Sequence, residues 1–452
     1  MNRWLALVVL SLAQLMDILD STIVTIALPT AQRDLGFPAD HRQWILTGYA
    51  LAFGSLLLLG GRLSDFFGRK RMFLVGVGGF AVASAFGGAA GDFVTLLAAR
   101  IGQGVFAALL APAALSLLSV TFADDAEERG RAFGIFGAIS GAGGAIGLLL
   151  GGVLTQGLSW RWCLYVNLLI AAVAFVGGVV LLRDGDRPAR VKPDSAGTVA
   201  VVLGLVGIVY GLGTAETHGW ADVRTIGPVL AGSALIAAFV AIERRAAHPL
   251  LPLRVILDRT RGAAYLSLGI CGTGMFAVFL FLTYYLANTL GFTPVQIGLA
   301  FLPMIASVMA GAVFSGAVLL PRTGPRPLVP AGCVLAAIGM AVLTGLGPGS
   351  GYAGGILPAL LVTGLGFGLI FGPVQNAATS GVGPHDAGVA AALVTTAQQI
   401  GGSIGLAVFS SLAGDHLVFG ITAVVFLVSA VVAATVFRSG PLSVTDKVGT
   451  LA

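Results

Sequence analysis

The sequence predicts an all-α membrane protein in which two six-helix bundles flank a two-helix insert. Of its 452 residues, 57% are hydrophobic and only 10% are charged. Soluble domains carry about 25% charged residues, so this chain has too little polar surface for a soluble multidomain protein. A bilayer core needs about 20 mainly apolar residues per helix. The sequence contains fourteen such runs.

The runs are separated by short polar turns, and each is predicted to be a transmembrane helix. The first seven cover residues 4–28, 44–60, 72–90, 93–118, 132–156, 162–182 and 197–213. The other seven cover residues 225–242, 263–287, 294–319, 327–346, 353–376, 387–412 and 417–437. The first run is too long for a signal peptide and contains Gln14, Asp17 and Asp20, so we expect a spanning helix there.

The two longest polar connections flank the seventh and eighth runs and set the predicted domains. These are an N-terminal bundle at 1–183, an insert with cytoplasmic linkers at 184–261, a C-terminal bundle at 262–437 and a short tail at 438–452. A weak internal repeat supports the division, because GRLSDFFGRKR at 61–71 is echoed by GAVLLPRTGPRP at 316–327. Many transporters are built from parallel repeats with the substrate site between the halves.

Lys and Arg are distributed unevenly about the predicted membrane. Of these 25 residues, 20 lie on the side of the N-terminus, four lie on the other side, and Arg100 falls inside the fourth run. The positive-inside rule predicts an inner (plasma) membrane protein with both termini cytoplasmic. The basic residues are therefore expected to lie at the cytoplasmic leaflet of the lipid bilayer. A role with nucleic acid would need a basic soluble domain, and the sequence predicts none. Three widely separated cysteines offer neither a disulfide framework nor a metal site, and we expect no cofactor.

Ionisable residues at membrane depth are costly and are candidates for function. Asp17 and Asp20 lie three residues apart on one face of the first run, and Gln103 shares a face with Arg100. Burial favours the protonated form of a carboxylate and a nearby guanidinium opposes this, so opening a cavity would change the proton affinity. We predict that Asp20 binds a proton, that Arg100 adjusts its affinity and that Asp17 contributes. A purely structural Asp20–Arg100 pair is the alternative.

The cytoplasmic loop GRLSDFFGRKR contains two glycines and one acid among its basic residues. Gly61 and Gly68 allow a tight turn and a close backbone approach. Asp65 can complement the N-terminus of a neighbouring helix. Arg69 and the basic residues after it anchor the loop to the inner leaflet. An ordinary positive-inside turn accounts for the basic residues but not for both glycines and the acid.

The fifth run is rich in glycine. Gly143, Gly147 and Gly151 recur every four residues, and Gly152 follows directly. This spacing lets a second helix approach closely, so it predicts a packing seam that also serves as a sliding surface.

Aromatic and amide residues within the runs are candidates for a substrate cavity. They are Gln14, Gln103, Phe279, Phe281, Tyr284, Tyr285, Phe367, Phe371, Gln375 and Asn376. Aromatic residues near helix ends are also common interfacial anchors. Gln398 and Gln399 are expected to bond within the bundle. Every acid from Glu243 onward is predicted to lie in a loop, which favours lipophilic monovalent cations or neutral amphiphiles over divalent cations.

Several motifs resemble those of the fourteen-helix drug:proton antiporter branch of the major facilitator superfamily. LDSTIVTIALP at 19–29 is similar to its first-helix motif, whose acid matches Asp20. The GRLSDFFGRKR loop looks like the superfamily's cytoplasmic loop motif. The resemblance implies that this loop forms a conformational latch, with contributions from Gly61, Asp65, Gly68 and Arg69.

LAARIGQGVFAALLAP at 97–112 resembles the fourth-helix motif whose arginine, here Arg100, is implicated in proton coupling. YYLANTLGFTPVQIGLAFLP and QQIGGSIGLAV also look typical of this branch, so the resemblance covers nearly the whole chain. In the fifth run Leu148 stands where the family has proline after glycine, which removes an expected kink. WRWCLYVN at 160–167 keeps the family pattern, but the Pro and Gly expected just beyond Asn167 are Leu and Ala.

The resemblance implies a monomeric multidrug efflux transporter that exchanges protons for a small-molecule substrate by alternating access. Leu148 leaves the direction of coupling open, so a proton symporter for a small nutrient is one alternative. A transport-inactive membrane sensor is another. No nucleophile, metal cluster or phosphate loop in the sequence suggests an enzyme.

Overall fold

The computed structural model describes residues 3–437 except 123–125, 183–193, 247–248, 348, 380–381, 383–386 and 412–414. The predicted tail at 438–452 lies outside the described residues. So does the side chain of Asp65, although its backbone belongs to a helix.

Each of the fourteen predicted runs is helical. In the first half these are α1 (Arg3–Leu35), α2 (Arg42–Phe67), α3 (Arg69–Gly88), α4 (Phe93–Thr121), α5 (Ala126–Gly157), α6 (Trp162–Leu181), α7 (Ser195–His218) and α8 (Val223–Arg245). In the second half they are α9 (Arg259–Asn288), α10 (Pro294–Phe314, continued by Ser315–Leu319 and Leu320–Thr323), α11 (Pro325–Thr344), α12 (Tyr352–Thr379), α13 (Ala387–Ser410) and α14 (Asp415–Val436). A 3₁₀ turn at Ala39–His41 precedes α2, and a short helix at Leu253–Ile256 precedes α9.

Within the described residues, 13 helices are long and apolar enough to cross a membrane. The exception is α5, where only Gly143–Gly157 counts as an apolar helix. With 32 residues, α5 is long enough at about 1.5 Å per residue to cross a core of about 30 Å. The fourteenth crossing therefore stays a prediction.

Several helices extend past the apolar runs because helical hydrogen bonding continues into polar turns. The prediction that every acid from Glu243 onward lies in a loop is therefore wrong. Glu243 lies in the last turn of α8, is only 4% exposed, and accepts a hydrogen bond from the Leu250 N–H at 3.3 Å. Asp415 is the first residue of α14, although its side chain lies outside the described part.

In the part of the chain that the structure describes, three helices contain one π-helical turn each. These turns are Val278–Leu282 in α9, Ser315–Leu319 in α10 and Tyr352–Ile356 at the start of α12. By contrast, α5 is one uninterrupted α-helix, and α12 continues through Pro373. Wider turns of this kind are frequent where a helix carries functional side chains.

The chain forms two compact units. One comprises residues 1–250, 275–302 and 402–413, and the other comprises residues 251–274, 303–401 and 414–452. In the second unit, close helix crossings depend on glycine. A Cβ on Gly272 would overlap the carbonyl oxygen of Gln398, and one on Gly332 would lie 2.7 Å from the Gly366 carbonyl.

The glycines of α5 form a seam against α1 in the first unit. A Cβ on Gly147 would overlap the Thr22 hydroxyl, and one on Gly151 would lie 3.0 Å from the carbonyl of Ile23. Gly143 meets the side chains of Leu15 and Ile18 in the same way, at 3.1 and 3.2 Å. The sequence spacing thus brings the backbones of α1 and α5 together.

Gly152 points elsewhere, and a Cβ there would lie 2.6 Å from the carbonyl oxygen of Pro294 at the start of α10. In the same contact, a Cβ on Gly298 would lie 2.5 Å from the carbonyl oxygen of Leu148. Helix α5 therefore makes close glycine contacts on two faces.

The cytoplasmic loop motif is a one-residue turn between α2 and α3. Gly68 has φ +101°, a conformation that favours glycine, and its N–H donates to the Ser64 carbonyl at 3.1 Å. Gly61 makes only an ordinary contact, since a Cβ there would lie 3.8 Å from Pro112. The close approach is made by its neighbour Gly60, where a Cβ would overlap the carbonyl of Ala108. Adjacent residues point about 100° apart around a helix, so Gly61 does not face this contact.

Candidate proton-coupling site

A buried polar network in the first unit centres on Asp20 of α1. Its carboxylate is fully buried and forms an ion pair with Arg100 of α4 through Oδ2. The other oxygen, Oδ1, accepts hydrogen bonds from Gln103 Nε2 at 2.8 Å and from Asn167 Nδ2 of α6 at 2.6 Å. Three side-chain donors therefore bind this one carboxylate.

Arg100 and Gln103 reach Asp20 together because they are three residues apart on one face of α4. Arg100 Nη1 also donates to Gln103 Oε1 at 2.7 Å, and its Nε donates to the Ile45 carbonyl of α2 at 3.3 Å. Gly104 permits this approach, since a Cβ there would overlap the Tyr49 carbonyl. Gly104 thus allows α2 to pack closely against this part of α4.

Asp17 lies one turn before Asp20 and bonds to a different partner. The Tyr49 hydroxyl of α2 donates to Asp17 Oδ1 at 2.5 Å. The ring of Tyr49 lies under Arg100, with 4.4 Å between the guanidinium carbon and the ring centre. This is cation–π distance, so Tyr49 contacts both the second carboxylate and the cation.

The sequence-based prediction missed three members of this network: Tyr49, Ser84 and Asn167. Ser84 of α3 accepts from Gln103 Nε2 at 2.8 Å and is completely buried. Asn167 is also completely buried, and its Oδ1 has no hydrogen-bond partner among the described residues. Its amide nitrogen is assigned to Asp20 because an amide oxygen facing a carboxylate would be repelled. Asn167 had a readable signal, since an amide inside an apolar run must find a partner.

A second polar cluster fixes α6 at its N-terminal end. The indole N–H of Trp160 donates to Asp34 Oδ2 at 2.8 Å, and Arg161 binds the same oxygen at 2.5 Å. Arg161 also donates to the Ala90 carbonyl at 3.0 Å. These contacts join the end of α1 to the WRWCLYVN segment, which places Asn167 two turns further along α6.

Two basic residues of the GRLSDFFGRKR loop bind main-chain carbonyls. Lys70 Nζ donates to the Val179 carbonyl near the end of α6 at 2.7 Å. Arg62 donates to the Pro249 carbonyl after α8 at 2.6 Å. Cations at helix C-terminal ends complement the helix dipole. The latch assignment of Gly61, Asp65, Gly68 and Arg69 is not tested by these contacts.

Of the predicted cavity residues, Gln103 belongs to this network, and several others have different surroundings. Gln14 is half-buried on α1. Tyr284 is buried, donates to Gln32 Oε1 at 2.6 Å, and has the guanidinium of Arg42 4.4 Å from its ring centre. Phe279 stacks on Phe301 with 5.1 Å between ring centres.

In the second unit, the candidate residues of α12 divide into two groups. Phe367 is fully buried and lies 6.2 Å from Phe371 and 5.8 Å from Phe426, measured between ring centres. This places Phe367 in the hydrophobic core. Gln375 and Asn376 are exposed near the end of the helix. Gln398 and Gln399 on α13 are half-buried.

Comparisons with known proteins agree with this architecture. The family model described as Major Facilitator Superfamily matches residues 10–406 of this chain. A puromycin resistance protein of Streptomyces alboniger is 49% identical over 412 residues, covering 91% of this chain and 82% of that protein. A cephamycin export protein of Amycolatopsis lactamdurans is 39% identical over 414 residues, covering 91% and 85%.

Among solved structures, a POT family transporter superposes with a TM-score of 0.71, covering 95% of this chain and 97% of that chain at 16% identity. At this identity the likeness concerns the fold alone. The family match spans the helices that build the buried network, and the relatives cover most of the chain. The chain therefore belongs to the Major Facilitator Superfamily and is a multi-pass membrane transporter rather than an enzyme.

Proposed function

We propose that this protein exports lipophilic cationic or neutral compounds, such as antibiotics or secreted natural products, in exchange for protons. The relatives named for puromycin resistance and cephamycin export support export as the direction of transport. The observation that carries the proton coupling is the fully buried Asp20–Arg100 pair, which the structural needs of a helix bundle do not require.

The coupling follows from the energetics of a buried ion pair. While Arg100 binds Asp20, the carboxylate stays ionised and both charges are compensated. When a change of conformation separates them, the isolated carboxylate takes up a proton, because an unpaired buried charge is unfavourable. Protonation in turn weakens the pair and favours the separated conformation. Exchange between the two arrangements links proton movement to alternating access of a monomer.

In this proposal the cytoplasmic loop stabilises the conformation that is closed on the cytoplasmic side. Gly68 supplies the sharp turn, Lys70 binds the Val179 carbonyl near the end of α6, and Arg62 binds the Pro249 carbonyl after α8. Asp65 and Arg69 supply the charges of the latch. We place this loop and both termini on the cytoplasmic side of the cell membrane, as the distribution of Lys and Arg requires.

The substrate class follows from the charges near the transport path. No Asp or Glu occurs between Asp258 and Asp386 in the sequence, so α9 to α12 offer a substrate no carboxylate. A divalent cation would lack a second counter-charge there. We therefore expect monocations and neutral amphiphiles to bind more tightly than dications of similar size, measured by quenching of tryptophan fluorescence in the purified protein.

Transport into inverted membrane vesicles tests the proposal. With an acid interior, wild-type vesicles should accumulate puromycin or ethidium, and a protonophore should abolish the accumulation. Asp20→Asn should lose the dependence on the pH gradient, whereas Asp92→Asn serves as a matched control in an exposed cap position. Gradient-driven accumulation by Asp20→Asn at the wild-type rate would overturn the coupling role, and gradient-driven loss of the compound from the vesicles would indicate symport.

A further inference from the structure

The buried network contains one more carboxylate than it has cations. Asp17 and Asp20 face Arg100, and the other titratable side chains facing them from α2 and α6 are the neutral Tyr49 and Cys163. Helix α5 meets this part of α1 through Gly143, Gly147 and Gly151, and residues 143–151 include no titratable side chain in the sequence. Two ionised carboxylates and one guanidinium give a formal charge of −1, which a single proton would neutralise. A low-dielectric site favours that neutral state.

The two carboxylates differ in how well they are held as anions. Asp20 accepts from Arg100, Gln103 and Asn167, while Asp17 accepts from the hydroxyl of Tyr49. Asp17 is 6% exposed and Asp20 is completely buried. Each hydrogen bond donated to a carboxylate favours its ionised form. The proton that neutralises the network is therefore held more readily by Asp17.

Tyr49 connects this carboxylate to the ion pair through one side chain. Its hydroxyl binds Asp17 at 2.5 Å, and its ring lies 4.4 Å from the guanidinium carbon of Arg100. The residue is 3% exposed, and its main chain is fixed by the close crossing with Gly104 of α4. A change at the hydroxyl therefore acts on a ring whose position also stabilises Arg100.

We propose that Asp17 is the first group to take up the coupling proton, and that Tyr49 is a positioning residue that transmits its protonation state to the Arg100–Asp20 pair. The proposal rests on the proton exchange proposed above and assigns its first step. A hydronium ion gives its proton to a carboxylate oxygen of Asp17 and becomes water, and no electrons are transferred. The Tyr49 hydroxyl then faces a neutral acid, its hold on Asp17 weakens, and the ring is free to move from Arg100. Asp20 takes up a proton only after Arg100 has left it.

Infrared difference spectroscopy of the purified full-length protein in lipid nanodiscs tests this assignment directly. The carboxylic acid C=O band is followed during a pH titration, with no substrate needed. Asp17→Asn should lose the band that titrates at the highest pH. Asp20→Asn should keep a titrating band and move it to lower pH, because Arg100 then compensates Asp17 alone.

Variants of Tyr49 separate its hydroxyl from its ring. Tyr49→Phe keeps the ring and should raise the midpoint of the Asp17 band by about one to two pH units, the effect of a lost hydrogen bond to a charged group. Tyr49→Leu removes the ring as well and should in addition abolish gradient-driven transport of puromycin. Tyr210→Phe is the control, since Tyr210 is exposed on the insert and its ring packs against Trp44.

Two results would overturn the proposal. If the highest-titrating band survives in Asp17→Asn but disappears in Asp20→Asn, Asp20 is the first proton acceptor. If Tyr49→Phe titrates with the wild-type midpoint, Tyr49 has no positioning role, and this variant remains informative even if Asp17→Asn fails to fold. If instead the bands behave as expected but puromycin transport ignores the pH gradient, the proposed antiport fails while the proton assignment stands.

Discussion

The charge imbalance of the network makes the two halves of the ion pair unequal in their effect on stability. Arg100→Gln leaves Asp17 and Asp20 without a cation, whereas Asp20→Asn leaves Arg100 with Asp17 as a remaining counter-charge. Breaking a buried pair by removing one partner costs about 3–5 kcal/mol. At neutral pH we therefore expect Asp20→Asn to lower the free energy of unfolding by about 3 kcal/mol, and Arg100→Gln to lower it by about 5 kcal/mol.

The double variant is expected to be less destabilised than the sum of the two single variants. With Asp20→Asn and Arg100→Gln combined, one uncompensated carboxylate remains, so the coupling energy should reach about 1–3 kcal/mol. Thermal or denaturant unfolding of the purified proteins in one detergent provides the measurement. Lowering the pH should reduce the difference in unfolding free energy between Arg100→Gln and wild type, because protonation removes the uncompensated charge. Equal effects of the two single variants, additive in the double variant, would contradict this account.

Four further variants test the glycine seam of α5, the turn at Gly68 and the N-terminal cap of α4. Gly147→Val should abolish transport and lower the yield because its side chain overlaps α1, whereas Gly144→Ala should be neutral in the same vesicle assay because nothing lies within 4 Å of it. Gly68→Ala should destabilise by about 1–3 kcal/mol through backbone strain at φ +101°, seen as a lower unfolding temperature than wild type. Hydrogen bonds from the backbone N–H and hydroxyl of Thr95 hold the pKa of Asp92 below its ordinary value, so this carboxylate stabilises α4 at neutral pH and loses that effect as the pH falls through its folded pKa. Asp92→Ala should abolish this part of the pH dependence of the unfolding temperature. An unchanged pH dependence in Asp92→Ala would show that the Asp92 cap does not stabilise α4.

The helices could be predicted because each must satisfy its backbone within a bilayer of fixed thickness. Their polar ends could not, since hydropathy falls before helical hydrogen bonding ceases, as Glu243 in α8 shows. The approach of Asp20 to Arg100 was predictable because buried charges must pair. Ser84 and Tyr49 carried no comparable signal, because a serine can bond to its own helix and a tyrosine is common at interfaces. The choice between Gly60 and Gly61 depended on helix rotation, which the loop motif does not specify.

The placement of the network has a consequence for how transport specificity can change. Asp17, Asp20, Tyr49, Arg100 and Asn167 all bond to one another or to main chain inside one compact unit. Gln103 is the candidate cavity residue that hydrogen-bonds within this network. Under the proposed function, we expect substitutions at the other cavity positions to alter which compounds bind while proton coupling is retained. Substrate recognition and coupling would then depend on largely separate sets of residues, with Gln103 common to both.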